Sequence, residues 1–185
     1  MDPVGHRSLR IVAAAGLGVG AVFGLGGTFV ESAPLRQLFW TIDGVALVVA
    51  SALLTVMHFR QGDDLVASGF LVFGIGQGVI VSGNAAGLEG SLPSFGGGVA
   101  LWAAALLLTS VPRRFATWVR IAGIFAAVLF AIVAVRIVLG QPLLPTSAPL
   151  PFFAYPFLIV TFVGWIWELF NQERVRASSD TDPAT

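Results

Sequence analysis

The sequence predicts an all-α, polytopic membrane protein: a six-transmembrane-helix bundle with both termini cytoplasmic. Three observations carry that expectation. Of the 185 residues, 56% are hydrophobic and 11% charged, which is too apolar for a water-soluble globule. The apolar residues fall into six stretches, at 11–30, 38–57, 65–83, 96–111, 118–139 and 151–170. Most are close to the about 20 residues that a helix needs to cross a roughly 30 Å hydrocarbon core. Finally, arginines gather at every second junction between the stretches. Residues 1–170 therefore read as one transmembrane domain, and the polar segment 171–185 as a disordered cytoplasmic tail.

The first span follows His6, Arg7 and Arg10 and resembles a signal peptide in its flanks, with Ser32 and Ala33 as small residues near a cleavage point. Signal h-regions run about 7–15 residues. This apolar run is longer, so a retained helix is expected. It carries Gly16, Gly20 and Gly24 at four-residue spacing, a device that lets a partner backbone approach closely. Without a preceding strand or a P-loop lysine, these glycines do not read as a phosphate loop.

The second span starts near Trp40 and carries Asp43, about five residues or roughly 7 Å from its end. The third has Gly74 and Gly78 as packing positions, Gln77 near mid-membrane, and Ser82 and Asn84 toward its far end. A Gly-rich loop, 84–98, follows with Glu89 and Pro93. The fourth span contains Trp102, several residues inside where a headgroup-level indole belongs. The fifth begins at Trp118, packs through Gly123, Ala127 and Ala131, and holds Arg136 near its end. A loop with Pro142, Pro145, Pro149 and Pro151 leads to the sixth, where Trp165 and Trp167 are expected at the boundary, with Glu168 in reach of Arg120.

Orientation follows from the bases. Arg7, Arg10, Arg60, Arg113, Arg114, Arg120, Arg174 and Arg176 lie on one side, and Arg36 and Arg136 on the other. The positive-inside rule makes the first side cytoplasmic. A shift of 54 residues superposes Gly44-Val45-Ala46-Leu47 on Gly98-Val99-Ala100-Leu101, and Arg60 on Arg114. It pairs spans two and three with four and five, as a parallel hairpin repeat would.

Composition excludes several chemistries. The chain has ten arginines and no lysine, so no Schiff base can form, and no cysteine, so no thiolate metal site, disulfide or thiol catalysis. No Gly-x-Ser-x-Gly or His-Glu-x-x-His pattern is present. No catalytic residue, metal ligand set or cofactor is expected, and no nucleic-acid partner, since no basic run exceeds Arg113–Arg114. Polar groups inside a membrane are costly and mark candidate sites. Glu31, Asp43, Asn84, Glu89 and Arg136 converge on the outer side, with Gln77 deeper. Asp43 and Arg136 lie at similar depth; they either pair or serve separately, Arg136 snorkelling to headgroups and Asp43 bonding a neighbouring helix.

Two functional classes remain. One is a small transporter or channel-like protein in a cell membrane, expected to be the bacterial cytoplasmic membrane, with a polar vestibule for a small solute or ion. The alternative is a non-catalytic accessory or scaffold that binds lipid, another membrane protein or a second copy through Gly/Ala-rich helix faces.

Overall fold

A computed structural model describes the backbone of residues 3–180 and the side chains of residues 7–171. The chain forms α1 (Pro3–Phe29), α2 (Ala33–Arg60), α3 (Asp64–Gly83), a 3₁₀ turn (Asn84–Ala86), the short α4 (Gly87–Gly90), α5 (Leu92–Ser110), α6 (Thr117–Val138) and α7 (Ala154–Asp180). Six of these helical segments are long and apolar enough to cross a membrane, and no strand occurs among the described residues.

Local chemistry sets the boundaries. Pro34 and Pro93 occupy the first turns of α2 and α5, where a missing N–H costs nothing and a fixed φ suits the helix. Gly62, at φ +76°, turns the chain between α2 and α3, and Asp64 places a carboxylate in the first turn of α3, favourable to the helix dipole. The 84–98 segment is therefore mostly not a loop, as its glycines suggested. The 3₁₀ turn and α4 fill its start, and α5 begins at Leu92 rather than at 96. Two other boundaries move as well. α7 starts at Ala154, after a run of turns containing the prolines, and its backbone stays helical past the expected end at Phe170. The side chains of Arg174, Arg176, Ser178, Ser179 and Asp180, residues 181–185 including Asp182, and the His6 side chain lie outside the described residues.

Consecutive long helices pack side by side, α1 on α2, α2 on α3, α3 on α5, α5 on α6 and α6 on α7, and α7 returns to α1. The result is a closed ring of six antiparallel helices. One end holds the α2–α3 and α5–α6 connections with Arg60, Arg113 and Arg114. It is called the arginine end below. The other, with the α1–α2, α3–α5 and α6–α7 connections, is the proline end.

Close helix approach uses a partly different set of glycines from those the spacing singles out. On α1, a Cβ at Gly16 would lie 2.9 Å from the Ala46 carbonyl oxygen, and one at Gly24 3.1 Å from the Asp43 carboxyl. At Gly20 it would run into Leu47. Gly74 faces Ser51, and Gly123 faces Ser110 and Thr161. Gly78 is the exception, with nothing within 4 Å of its added Cβ. The tight crossing on α3 is at Gly76, whose Cβ would meet the Gly98 carbonyl oxygen at 3.0 Å, with the reciprocal distance 2.8 Å. Two helices crossing backbone to backbone need small residues only where they touch. Gly74 serves the contact with α2, and the face of α3 that meets α5 lies between the positions that a four-residue repeat from Gly74 picks out.

The arginine-end half of the ring is filled by aromatic rings. Phe70, Phe73, Phe162 and Trp165 are each no more than 2% exposed. Phe73 stacks on Trp102 with centroids 5.3 Å apart and meets Phe162 edge-on at 5.6 Å; Phe70 meets Trp165 at 4.7 Å. The first joins α3 to α5, and the other two join α3 to α7 across the ring. Edge and offset geometries of this kind add about 0.5–1.5 kcal/mol per pair beyond area burial. Trp165 is thus a core residue and not the boundary indole expected; Trp118 and Trp167, half exposed and 6.2 Å apart, hold that position. Arg120 does not reach Glu168 but caps α5, donating from Nε to the Ser110 carbonyl (2.9 Å) and from Nη2 to that of Val111 (3.0 Å). These carbonyls would otherwise be unsatisfied at a helix end. Asp63 joins the two arginine-end connections through an ion pair, its Oδ2 2.7 Å from Arg114 Nε and 3.5 Å from His58 Nδ1.

Candidate functional site

The interior faces of α2 and α3 read as stripes at helical spacing. On α2 the stripe runs Asp43, Leu47, Ala50, Leu54 and Met57, all buried; on α3 it runs Val66, Phe70, Phe73 and Gln77. Apart from Ser51 and His58 on α2, the latter stacked on Phe70, both are apolar from the arginine end to mid-helix and then turn polar. The periodicity that buries Leu47 and Leu54 also buries Asp43. The stripe of α3 does the same to Gln77.

The two polar ends meet. Gln77 Nε2 donates to Asp43 Oδ2 at 3.0 Å, with Asp43 8% and Gln77 1% exposed. A carboxylate only accepts, so the amide nitrogen must face it, which turns Gln77 Oε1 the other way. That oxygen is buried with no hydrogen-bond partner, as are Trp102 Nε1, Asn84 Nδ2 and Ser51 Oγ. A hydrogen bond to a charged group contributes about 1.5–3 kcal/mol, and a buried polar atom without one costs about 1–3 kcal/mol.

Around this pair lies a cavity of about 70 Å³, several times the about 10–15 Å³ that one water requires. Gly20 and Gly24 of α1 form one wall, because their missing side chains leave the space that the Asp43 carboxyl occupies. Trp40, Phe95, Trp102, Tyr155 and Phe162 supply aromatic surface, and Thr28, Asn84, Ser91 and Pro145 bring it to the proline end. Two bonds fix this rim. Tyr155 donates to the Pro145 carbonyl at 2.8 Å, which ties the α6–α7 connection over the cavity, and Gln37 Nε2 donates to the Asn84 carbonyl at 3.2 Å. Toward the arginine end, Phe162 and Trp102 pass directly into the aromatic packing.

Of the residues the sequence singles out, Asp43, Gln77 and Asn84 line this cavity, whereas Glu31, Glu89 and Arg136 are not among its lining residues and are exposed. Glu89 sits on α4 and Arg136 in the last turn of α6. Arg136 makes no ion pair with Asp43, whose partner is Gln77. Arg36 donates to the Val30 carbonyl at 3.1 Å and lies 5.8 Å from the Trp40 ring centroid. No basic side chain is among the described residues that line the cavity.

Sequence reasoning missed the aromatic walls. Trp102 carried a signal, since an indole several residues inside a span does not suit the headgroup level. Tyr155 carried another as the only tyrosine in the chain, next to a proline-rich connection. Among the described residues no group of three or more His, Cys, Asp or Glu side chains is placed to hold a metal ion. The chain matches no protein-family model, no curated protein and no solved structure.

Proposed function

We propose that this multi-pass membrane protein is a small transporter that admits a small solute into the cavity at the proline end, with Asp43 and Gln77 as its binding pair. The observation that carries this reading is a buried carboxyl group facing a cavity inside a transmembrane ring, hydrogen-bonded to a glutamine and to no cation. Intramembrane ionisable residues are expensive, and where they face a cavity they mark solute or ion pathways.

The arginine distribution supports an orientation with both termini cytoplasmic and the cavity opening outward. The arginine-only, lysine-free composition suits a bacterial cytoplasmic membrane. In this reading the 54-residue self-similarity makes α2–α3 and α5–α6 two copies of one hairpin, related about the membrane normal. The aromatic packing of Phe70, Phe73, Phe162 and Trp165 closes the path toward the arginine end. Passage therefore requires that packing to rearrange, which suits an alternating transporter better than an open channel.

The scaffold alternative needs free glycine faces. Gly16, Gly20, Gly24, Gly74 and Gly123 are used inside the ring, and Gly78 alone of the expected set is open. A proteoliposome flux screen with small solutes tests the proposal. Flux that Asp43→Asn abolishes supports it. A folded protein that moves no solute, or flux indifferent to Asp43, contradicts it.

A further inference from the structure

The cavity's chemistry restricts what it can hold. Its acidic member is Asp43, and no arginine or histidine lines it. An anion therefore finds no cationic partner there. A bare divalent cation is a poor fit, because Mg²⁺ and Ca²⁺ seek about six or more oxygen ligands. Here one carboxyl and one free amide oxygen are offered against walls of Trp40, Phe95, Trp102, Tyr155 and Phe162. A sugar would meet too few donors and acceptors on the same walls. What remains complementary is a positive group that can donate to Asp43 and to the unpartnered Gln77 Oε1, attached to an apolar body that the rings can cover. Tryptophan and tyrosine faces also attract cations directly, by about 2 kcal/mol or more once water is excluded.

We infer that the cavity binds a small organic ammonium ion, its charged nitrogen at Asp43 and Gln77 Oε1 and its apolar part against the aromatic walls. The inference rests on the reading of the cavity as a solute site and adds the class of solute. It also assigns Gln77 a role beyond bonding Asp43. The amide holds the carboxyl through Nε2 and presents Oε1 as a second acceptor. The glycines of α1 contribute by leaving the carboxyl room beside the cavity.

The test uses the full chain in maltoside detergent and two probes of nearly equal shape, benzylammonium and benzyl alcohol, titrated by calorimetry. Thr28→Trp, placed at the cavity rim, reports whether heat comes from this cavity or from the micelle. Benzylammonium is expected to bind about tenfold or more tighter than the alcohol. Asp43→Asn, which keeps shape, is expected to erase that preference, and Thr28→Trp to remove binding of both probes. Equal binding of the two probes, blocked by Thr28→Trp, would overturn the ammonium assignment and leave the cavity as a neutral-solute site. An ammonium preference that persists in Asp43→Asn would overturn it too. Absence of any binding that Thr28→Trp affects would overturn the cavity reading itself, and the inference with it.

Discussion

The two halves of the ring interior are built from the same helices and the same stripes, yet they have opposite chemistry. Toward the arginine end, α2, α3, α5 and α7 contribute Leu54, Phe70, Leu106 and Trp165, each no more than 2% exposed. Toward the proline end the corresponding turns contribute Asp43, Gln77, Phe95 and Tyr155 around a cavity. The first half is packed for rigidity. The second gives up packing density and leaves Gln77 Oε1 and Trp102 Nε1 without partners. Open space lined by buried polar atoms, set against close packing elsewhere in the same ring, marks where function concentrates.

The comparison can be broken most forcefully in the packed half. Phe73→Ala removes a ring that touches Trp102, Phe162 and Trp165, and should destabilise the protein by about 3–5 kcal/mol. Thermal unfolding in detergent measures this. Truncating Phe95 at the cavity wall should cost distinctly less, since its neighbours already border open space. Equal losses would erase the distinction between the halves.

Glycine substitutions come next. Gly98→Val drives a side chain into Ile80 and the Gly76 carbonyl, and overpacking of this kind costs about 1–3 kcal/mol. Gly78→Val meets nothing within 4 Å and should stay within about 0.5 kcal/mol of wild type. A larger loss at Gly78 than at Gly98 would show that α3 crosses α5 in a different register.

The smallest effect concerns the polar residues. Asp43→Asn and Arg136→Gln should be additive within about 0.5 kcal/mol, because the two do not touch. Asp43→Asn and Gln77→Leu share a hydrogen bond, so their double-mutant cycle should depart from additivity by more than that. Coupling of Asp43 to Arg136 instead of Gln77 would reassign the pair.

Much of this architecture could be read without coordinates, because span length and hydropathy are properties of single segments. Residues 65–83 and the helix Asp64–Gly83 nearly coincide. Less visible were features that depend on how one helix is rotated against another. Asp43 and Gln77 are each conspicuous in an apolar run, but their meeting depends on the facing angles of α2 and α3. Depth offered Arg136 as one partner and a neighbouring helix as the alternative, without singling out Gln77. The same blindness paired Gly78 with Gly74 as a contact position, where Gly76 makes the crossing with α5; Gly76 and Gly78 lie in one Gly-x-Gly string. The proline-rich connection is plain in the sequence. Its contribution through Pro145, and the bond from Tyr155, needed the folded ring to be seen.

The central claim is that one half of the interior is open to water from the proline end and the other is not. Leu158 and Leu169 lie on the inward face of α7 and are each 4% exposed, but Leu158 lines the cavity and Leu169 lies beyond Trp165. The chain has no cysteine, so each position can carry a single cysteine without background. The decisive measurement is labelling of Leu158→Cys and Leu169→Cys by a small membrane-impermeant methanethiosulfonate in membrane fragments that expose both faces to the reagent. Rapid modification at 158 with none at 169 is the predicted result; equal modification at both positions, or none at 158, would contradict it.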